Sequence, residues 1–268
     1  WSVFRGVKKK VFIRDDDRTR HFYIIGQTGS GKSELMKWIA LQDIKRGEGV
    51  AVIDPHGTDI DDLLEKIPPE RKDDVILFDA AEREMPMGLN MLEAKDETEK
   101  NIVINSFIAL LYKLYDPNHQ GIMGPLLERA IRNVMLTAMV DPEATMIDVL
   151  RLFIDEGYSK KFLDKVTDPL VKRYWTDEVA KTSQSRKGET MGYFASKFDR
   201  ITTDRTMRNI IGQKKSSFNF DEIMAQKKIL LVDLAKGKLG EENSNFLGLL
   251  LVPRILTAAL RRHQLKEG

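Results

Sequence analysis

Short apolar runs and helical stripes alternate along this chain. Val50-Ala51-Val52-Ile53 and Val75-Ile76-Leu77-Phe78 are continuous apolar runs, and each ends on an aspartate, Asp54 and Asp79. Ile229-Leu230-Leu231-Val232 repeats the pattern and ends on Asp233. Runs of this length without alternation predict central strands of a parallel sheet, buried on both faces. His21-Phe22-Tyr23-Ile24-Ile25 is short, β-branched and aromatic, and predicts another buried strand. Residues 11–14 predict a strand before it, across the charged turn Asp15-Asp16-Asp17-Arg18. From Glu34 to about Lys45 the spacing of Leu35, Trp38 and Ile39 predicts a helix, broken by Gly47-Glu48-Gly49. Strand, helix and strand joined by short turns predict right-handed parallel crossovers and an α/β sheet.

The period changes after Asn90. Ile102, Val103, Phe107, Leu110, Leu111 and Leu114 predict a helix over 98–115. Over 126–139, Leu127, Ile131, Met135 and Met139 form one row, with Leu126, Ala130, Val134 and Ala138 beside it. Glu128, Arg129, Arg132 and Asn133 face away from that row. Further helices are predicted from Thr145 to Asp155 and from about Asp177 to Ile201. Residues 95–205 therefore read as an all-helical block. The return to a strand at Ile229 predicts that this block is inserted into one nucleotide-binding domain, formed by 1–94 and 206–268. A helix from about Ser244 to Arg262 closes the chain.

Composition narrows this picture only slightly. The 268 residues are 42% hydrophobic and 31% charged, ordinary for a globular protein. The net charge of +2 gives no general affinity for nucleic acid, so any basic surface is local. There is no cysteine, which excludes disulfides and thiolate metal sites and fits a reducing compartment. No run of apolar residues reaches the roughly 18 that a membrane span requires. The first residue is not Met and no signal peptide is visible. The expectation is a piece of a longer protein, with any membrane segment upstream of it.

The chemistry is concentrated in Gly26-Gln27-Thr28-Gly29-Ser30-Gly31-Lys32-Ser33, the pattern G-x-x-x-x-G-K-[ST]. Its glycines let the backbone N–H groups turn inward onto a polyphosphate. Lys32 is placed to reach the β- and γ-phosphates of ATP, and the Ser33 hydroxyl to ligate Mg²⁺. The head of the following helix, at Glu34, adds its dipole at the same place. Hydrolysis also needs carboxylates to hold Mg²⁺ and to orient water. Asp54, Asp79 and Asp233, at strand C-terminal ends, are the candidates, Asp54 and Asp233 foremost. The alternative for each is to cap its own strand end. Lys197, Arg200, Arg205, Arg208, Lys214 and Lys215 cluster within twenty residues. They suit a nucleic-acid backbone, an arginine finger for a neighbouring subunit (Arg200, Arg205 or Arg208), or a solvated helix face.

Gly26–Ser33, Val52-Ile53-Asp54-Pro55-His56-Gly57, Gly88-Leu89-Asn90-Met91-Leu92, Lys228–Gly237 and Gly240-Glu241-Glu242-Asn243-Ser244 together resemble the coupling proteins of conjugative DNA transfer and type IV secretion. These belong to the HerA–FtsK superfamily of RecA-like pumps, and the resemblance covers most of the chain. It implies a homo-hexameric ring that hydrolyses ATP to move DNA through its centre. It also implies a helical domain that engages DNA or a relaxase complex, and a cytoplasmic location behind N-terminal inner-membrane helices. One departure stands out: the hydrolytic strand ending in Asp-Glu that follows the segment like 228–262 in that family is not present here. A HerA-like DNA-processing motor and a nucleotide-gated docking module for relaxase or effector proteins are the alternative readings.

Overall fold

In the computed structural model, which describes residues 2–18, 20–182, 188, 192–193, 195–196, 198 and 202–265, the chain divides into two units, Trp1–Ala40 and Leu41–Gly268. The first unit begins with a hairpin that the apolar pattern does not announce. Strands β1 (Ser2–Phe4) and β2 (Val7–Lys9) pair antiparallel, with Phe4 opposite Val7. Arg5 and Gly6 between them have φ of 49° and 78°, the left-handed pair that a two-residue hairpin turn of right-handed twist demands.

Two predicted strands are absent from this unit. Residues 11–14 have no regular structure, and the charged turn is a single helical turn, α1 (Asp15–Arg18). Its three aspartates sit at the positive end of the helix dipole. Residues 21–27 form no strand either, and Phe22, Tyr23 and Ile25 are 60%, 87% and 82% exposed. An apolar run becomes a strand only when neighbours satisfy its backbone groups, and no described strand pairs with this one. The helix after the glycine loop forms as expected, α2 (Lys32–Lys45), and the chain leaves it through Gly47 at φ 80°.

The second unit holds the three runs that end on aspartate. They are β3 (Val50–Asp54), β4 (Val75–Asp79) and β5 (Ile229–Asp233). β5 lies between the other two, parallel to both, in the register Asp54–Asp233–Asp79. Ile229 to Val232 are completely buried, as a central strand covered on both faces must be. α3 (Thr58–Lys66) follows β3 and buries Ile60 and Leu63, and a 3₁₀ segment, Pro69–Asp74, leads into β4. The Arg71 guanidinium in that segment donates to the carbonyls of Ile44 and Lys227, each at 2.8 Å, and to Asp74 at 2.7 Å. It thus caps the C-terminal end of α2 and ties it to the approach of β5.

Between β4 and β5 every described element is a helix: α4 (Glu97–Tyr115), α5 (Pro125–Ala138), α6 (Met146–Ile154), α7 (Glu156–Leu163), α8 (Pro169–Arg173), a π-helical turn at Tyr174–Val179, α9 (Arg205–Ile211) and α10 (Phe220–Ala225). The row Leu127, Ile131, Met135 and Met139 is buried as its spacing requires, whereas Leu126 in the first turn is 83% exposed. Much of the helix expected from Asp177 to Ile201 lies outside the described residues, and so do Lys197 and Arg200. After β5 come a short helix, α11 (Lys236–Leu239), and α12 (Glu241–Leu265). By length and composition alone a stretch of α12 is apolar enough to cross a membrane, contrary to the expectation that no run would be. Its Phe246, Leu247 and Leu251 are buried in the core of this unit.

The chain leaves the sheet for the helices and returns along a shared seam. Leu89 N–H donates to Ile210 O and Ser217 N–H to Gly88 O, each at 2.9 Å. Asn90 is 1% exposed, and its side-chain amide donates to Ala144 O and Lys214 O. Arg254 of α12, just after the internal Pro253, donates to the carbonyls of Asn90, Met91 and Glu93.

Candidate nucleotide site

In the first unit the glycine loop has the backbone its pattern requires. Gly29 and Gly31 have φ of 79° and 86° with nothing within 4 Å of where a Cβ would stand. Their need for glycine is thus conformational. At Gly26 it is steric, because a Cβ would collide with Ser30 Oγ. Ser30 N–H donates to Gln27 O, and Leu35 N–H to Gly31 O, which starts the first turn of α2. Lys32 is the first residue of α2, and its ammonium donates to the carbonyls of Gly26 and Gln27, each at 2.8 Å. The lysine is thereby curled over its own loop. Ser33 and Glu34 are exposed in the first turn, where a helix offers N–H groups without an intrahelical partner. Glu34 pairs with Lys37 at 2.6 Å. Left-handed glycines, a lysine folded onto the loop and an exposed hydroxyl at the head of a helix fit a nucleotide polyphosphate with Mg²⁺.

The second unit places Asp54, Asp233 and Asp79 side by side across the C-terminal edge of the sheet, at the roughly 4.8 Å spacing of neighbouring strands. All three carboxylates cap the turns that follow them. Both Asp54 oxygens accept backbone N–H groups, from His56 and Asp59 at 2.9 Å each. Asp79 accepts from Ala81 at 2.8 Å and Asp233 from Ala235 at 2.7 Å. Asp79 and Asp233 each keep the second oxygen, Oδ2, without a hydrogen-bond donor among the described residues, and Asp233 differs in its electrostatics. Burial raises its carboxyl above the usual carboxylate range, and Asp79 and Asp54 beside it add to the effect. The Ala235 N–H and the Lys238 charge oppose the rise.

Gly57 explains how that carboxylate is accommodated. It precedes α3 at φ 87°, and a Cβ there would lie 2.5 Å from both Asp233 oxygens. The Asp-Pro-His-Gly turn therefore folds a bare Cα against the acid. Sequence reasoning singled out the turn without seeing this contact, and the glycine that closes the turn after the strand-ending Asp54 was its one signal. His56 is exposed.

The two described arginine candidates, Arg205 and Arg208, lie exposed on α9, whose Met207, Ile210 and Ile211 are buried. Lys214 of the same basic cluster is paired with Glu143 at 2.7 Å. In the Gly-Glu-Glu-Asn-Ser segment, Gly240 takes φ 81° between α11 and α12, and Asn243 donates to Asp204 and to Leu239 O.

A comparison with known families places this arrangement. Residues 6–243 match the family model described as "Helicase HerA, central domain". The chain belongs to that family, which lies within the HerA–FtsK superfamily of P-loop ATPases. The family match agrees with the α/β, RecA-like architecture of a parallel sheet with many helices. No curated protein matches the chain.

Proposed function

We propose that this chain is the ATP-binding motor domain of a DNA-translocating ATPase that pumps DNA in conjugation or type IV secretion. The observation that carries the reading is the glycine loop, with Gly29 and Gly31 in left-handed conformation and Lys32 at the head of α2. Gly26 to Glu34 hold the phosphates of ATP, Lys32 neutralises charge on the β- and γ-phosphates, and Ser33 ligates Mg²⁺. Of the acids, Asp233 and Asp79 each keep one oxygen without a donor among the described residues, whereas both Asp54 oxygens are engaged in holding the turn. Asp233, at the end of the central strand between the other two, is the acid this reading favours, and Asp54 shapes its surroundings. In a hexameric ring, head-to-tail contacts present one subunit's Arg205 or Arg208 to its neighbour. The helices between β4 and β5 form the inserted block that meets DNA or a relaxase.

A HerA-like motor for DNA processing is the second reading, favoured by the family match over 6–243. The test is Mg-ATP binding and turnover by the chain, with and without single-stranded DNA, against Lys32→Ala. Binding weakened at least about tenfold by the substitution is expected, as the loss of one charged phosphate contact implies. Equal ATP affinity in the variant would overturn the nucleotide site, and stimulation of turnover by peptide but not by DNA would overturn the motor.

A further inference from the structure

A second group of cations gathers at the C-terminal edge of the sheet, on the side away from Asp54. The loop leaving β4 carries Arg83, α11 carries Lys238, and the start of α9 contributes Thr206 and its N-cap residue Asp204. Together with Ala81 and Leu239 these residues line a cleft of about 170 Å³. Several described cations of this unit are engaged: Arg71, Lys95, Lys214, Lys228, Arg254 and Arg261 all have ion-pair or carbonyl partners. Arg83 and Lys238 have no ion pair, and the Thr206 hydroxyl no hydrogen bond, among the described residues. Arg83, Lys238 and Thr206 thus line one cleft, with no acceptor for their side-chain donors among the described residues.

The acids nearby are turned elsewhere. Asp204 Oδ1 accepts from the N–H groups of Thr206 and Met207, and its Oδ2 from Asn243. Glu82, next to Arg83, accepts from the N–H groups of Glu84 and Met85. Asp233 feels the Lys238 charge but lies over Gly57. The position is also the one where open α/β sheets accept ligands, outside the carboxyl ends of their strands.

We propose that this cleft is an oxyanion site for a phosphate dianion, held by the Arg83 guanidinium, the Lys238 ammonium and the Thr206 hydroxyl. Planar guanidinium and point-like ammonium are the pair that phosphate oxygens favour. The site takes free phosphate or the terminal phosphoryl of a nucleotide, and it works separately from the glycine loop.

The test is calorimetric titration of inorganic phosphate, at constant ionic strength, into the whole chain, its Lys32→Ala variant and a triple variant that adds Arg83→Ala and Lys238→Ala to Lys32→Ala. Phosphate affinity should survive Lys32→Ala and fall by at least about tenfold in the triple variant. Lys66→Ala, which removes another exposed lysine, should leave it unchanged. Arg83 and Lys238 are exposed, so unchanged thermal unfolding should accompany the loss. ATP binding to Lys32→Ala more tightly than phosphate does would identify the phosphoryl source as nucleotide, and equal or weaker binding as free phosphate. Absence of phosphate binding in the unaltered chain, equal affinity in the triple variant, or loss through Lys32→Ala alone would overturn the site. ATP that binds Lys32→Ala through the cleft is lost in the triple variant, which separates it from any ATP held by the glycine loop.

Discussion

Ile229–Asp233 and His21–Ile25 are runs of similar length and apolarity, yet only one of them is a strand. The first lies between two parallel neighbours with its first four side chains completely buried. The second pairs with no described strand, and three of its side chains are more than half exposed. Apolar content is thus a condition for a strand and not a specification of one, because backbone pairing is supplied by other segments.

The largest effect should come from charging each run in turn. Leu231→Asp places an unpaired carboxylate in a fully buried position and should cost about 4 kcal/mol or more. Tyr23→Asp, at an 87% exposed position, should stay within about 0.5 kcal/mol. Urea denaturation followed by circular dichroism measures both, and similar midpoints would erase the contrast. Glycines sharpen the same comparison on a smaller scale. Gly29 and Gly57 have similar φ, 79° and 87°, but the first faces open space and the second the Asp233 carboxylate. Gly29→Ala should cost about 1–2 kcal/mol from backbone strain alone. Gly57→Ala adds a steric clash and should cost about 1–3 kcal/mol more.

The smallest effect concerns Asp233. Its folded pKa lies above the ordinary value, so the ionised carboxylate is disfavoured in the folded state relative to the unfolded one. Its favourable contribution is complete below the unfolded pKa and is lost as pH rises through the folded pKa. Asp233→Asn should therefore raise the melting temperature at neutral pH by about 1–2 °C and lose that advantage in acid. A melting series across pH checks the sign, and a variant less stable than the parent at neutral pH would reverse it.

The three parallel strands were legible to the residue, because uninterrupted apolar runs closed by aspartate leave little choice of end. The glycine loop was equally legible, because its conformation is set by glycines inside the motif. The hairpin at Ser2–Lys9 was hidden: each strand is three residues long, and Arg5-Gly6 is a weak turn signal beside Asn-Gly. The segment from 156 to 179 breaks into three pieces where Asp155 and Asp168 cap new helices, the second followed directly by Pro169. The apolar pattern assigned no helix between Asp155 and Asp177, where capping residues mark the starts instead. The free oxygen of Asp233 and the shared cleft of Arg83 and Lys238 depend on contacts between segments far apart in sequence, which no local pattern encodes.

The seam at Asn90 has a consequence for the history of such a chain. Gly88 and Ser217, 129 positions apart, are held within hydrogen-bond reach, so the helices leave from and return to nearly one point. The gap the sheet must bridge is then independent of how many residues are spliced between its strands, and lengthening the splice adds closure entropy only slowly. Growth, trimming or exchange of the helical block can proceed at that doorway while β4 and β5 keep their register. The parallel strands can remain constant through descent while the helical part diversifies.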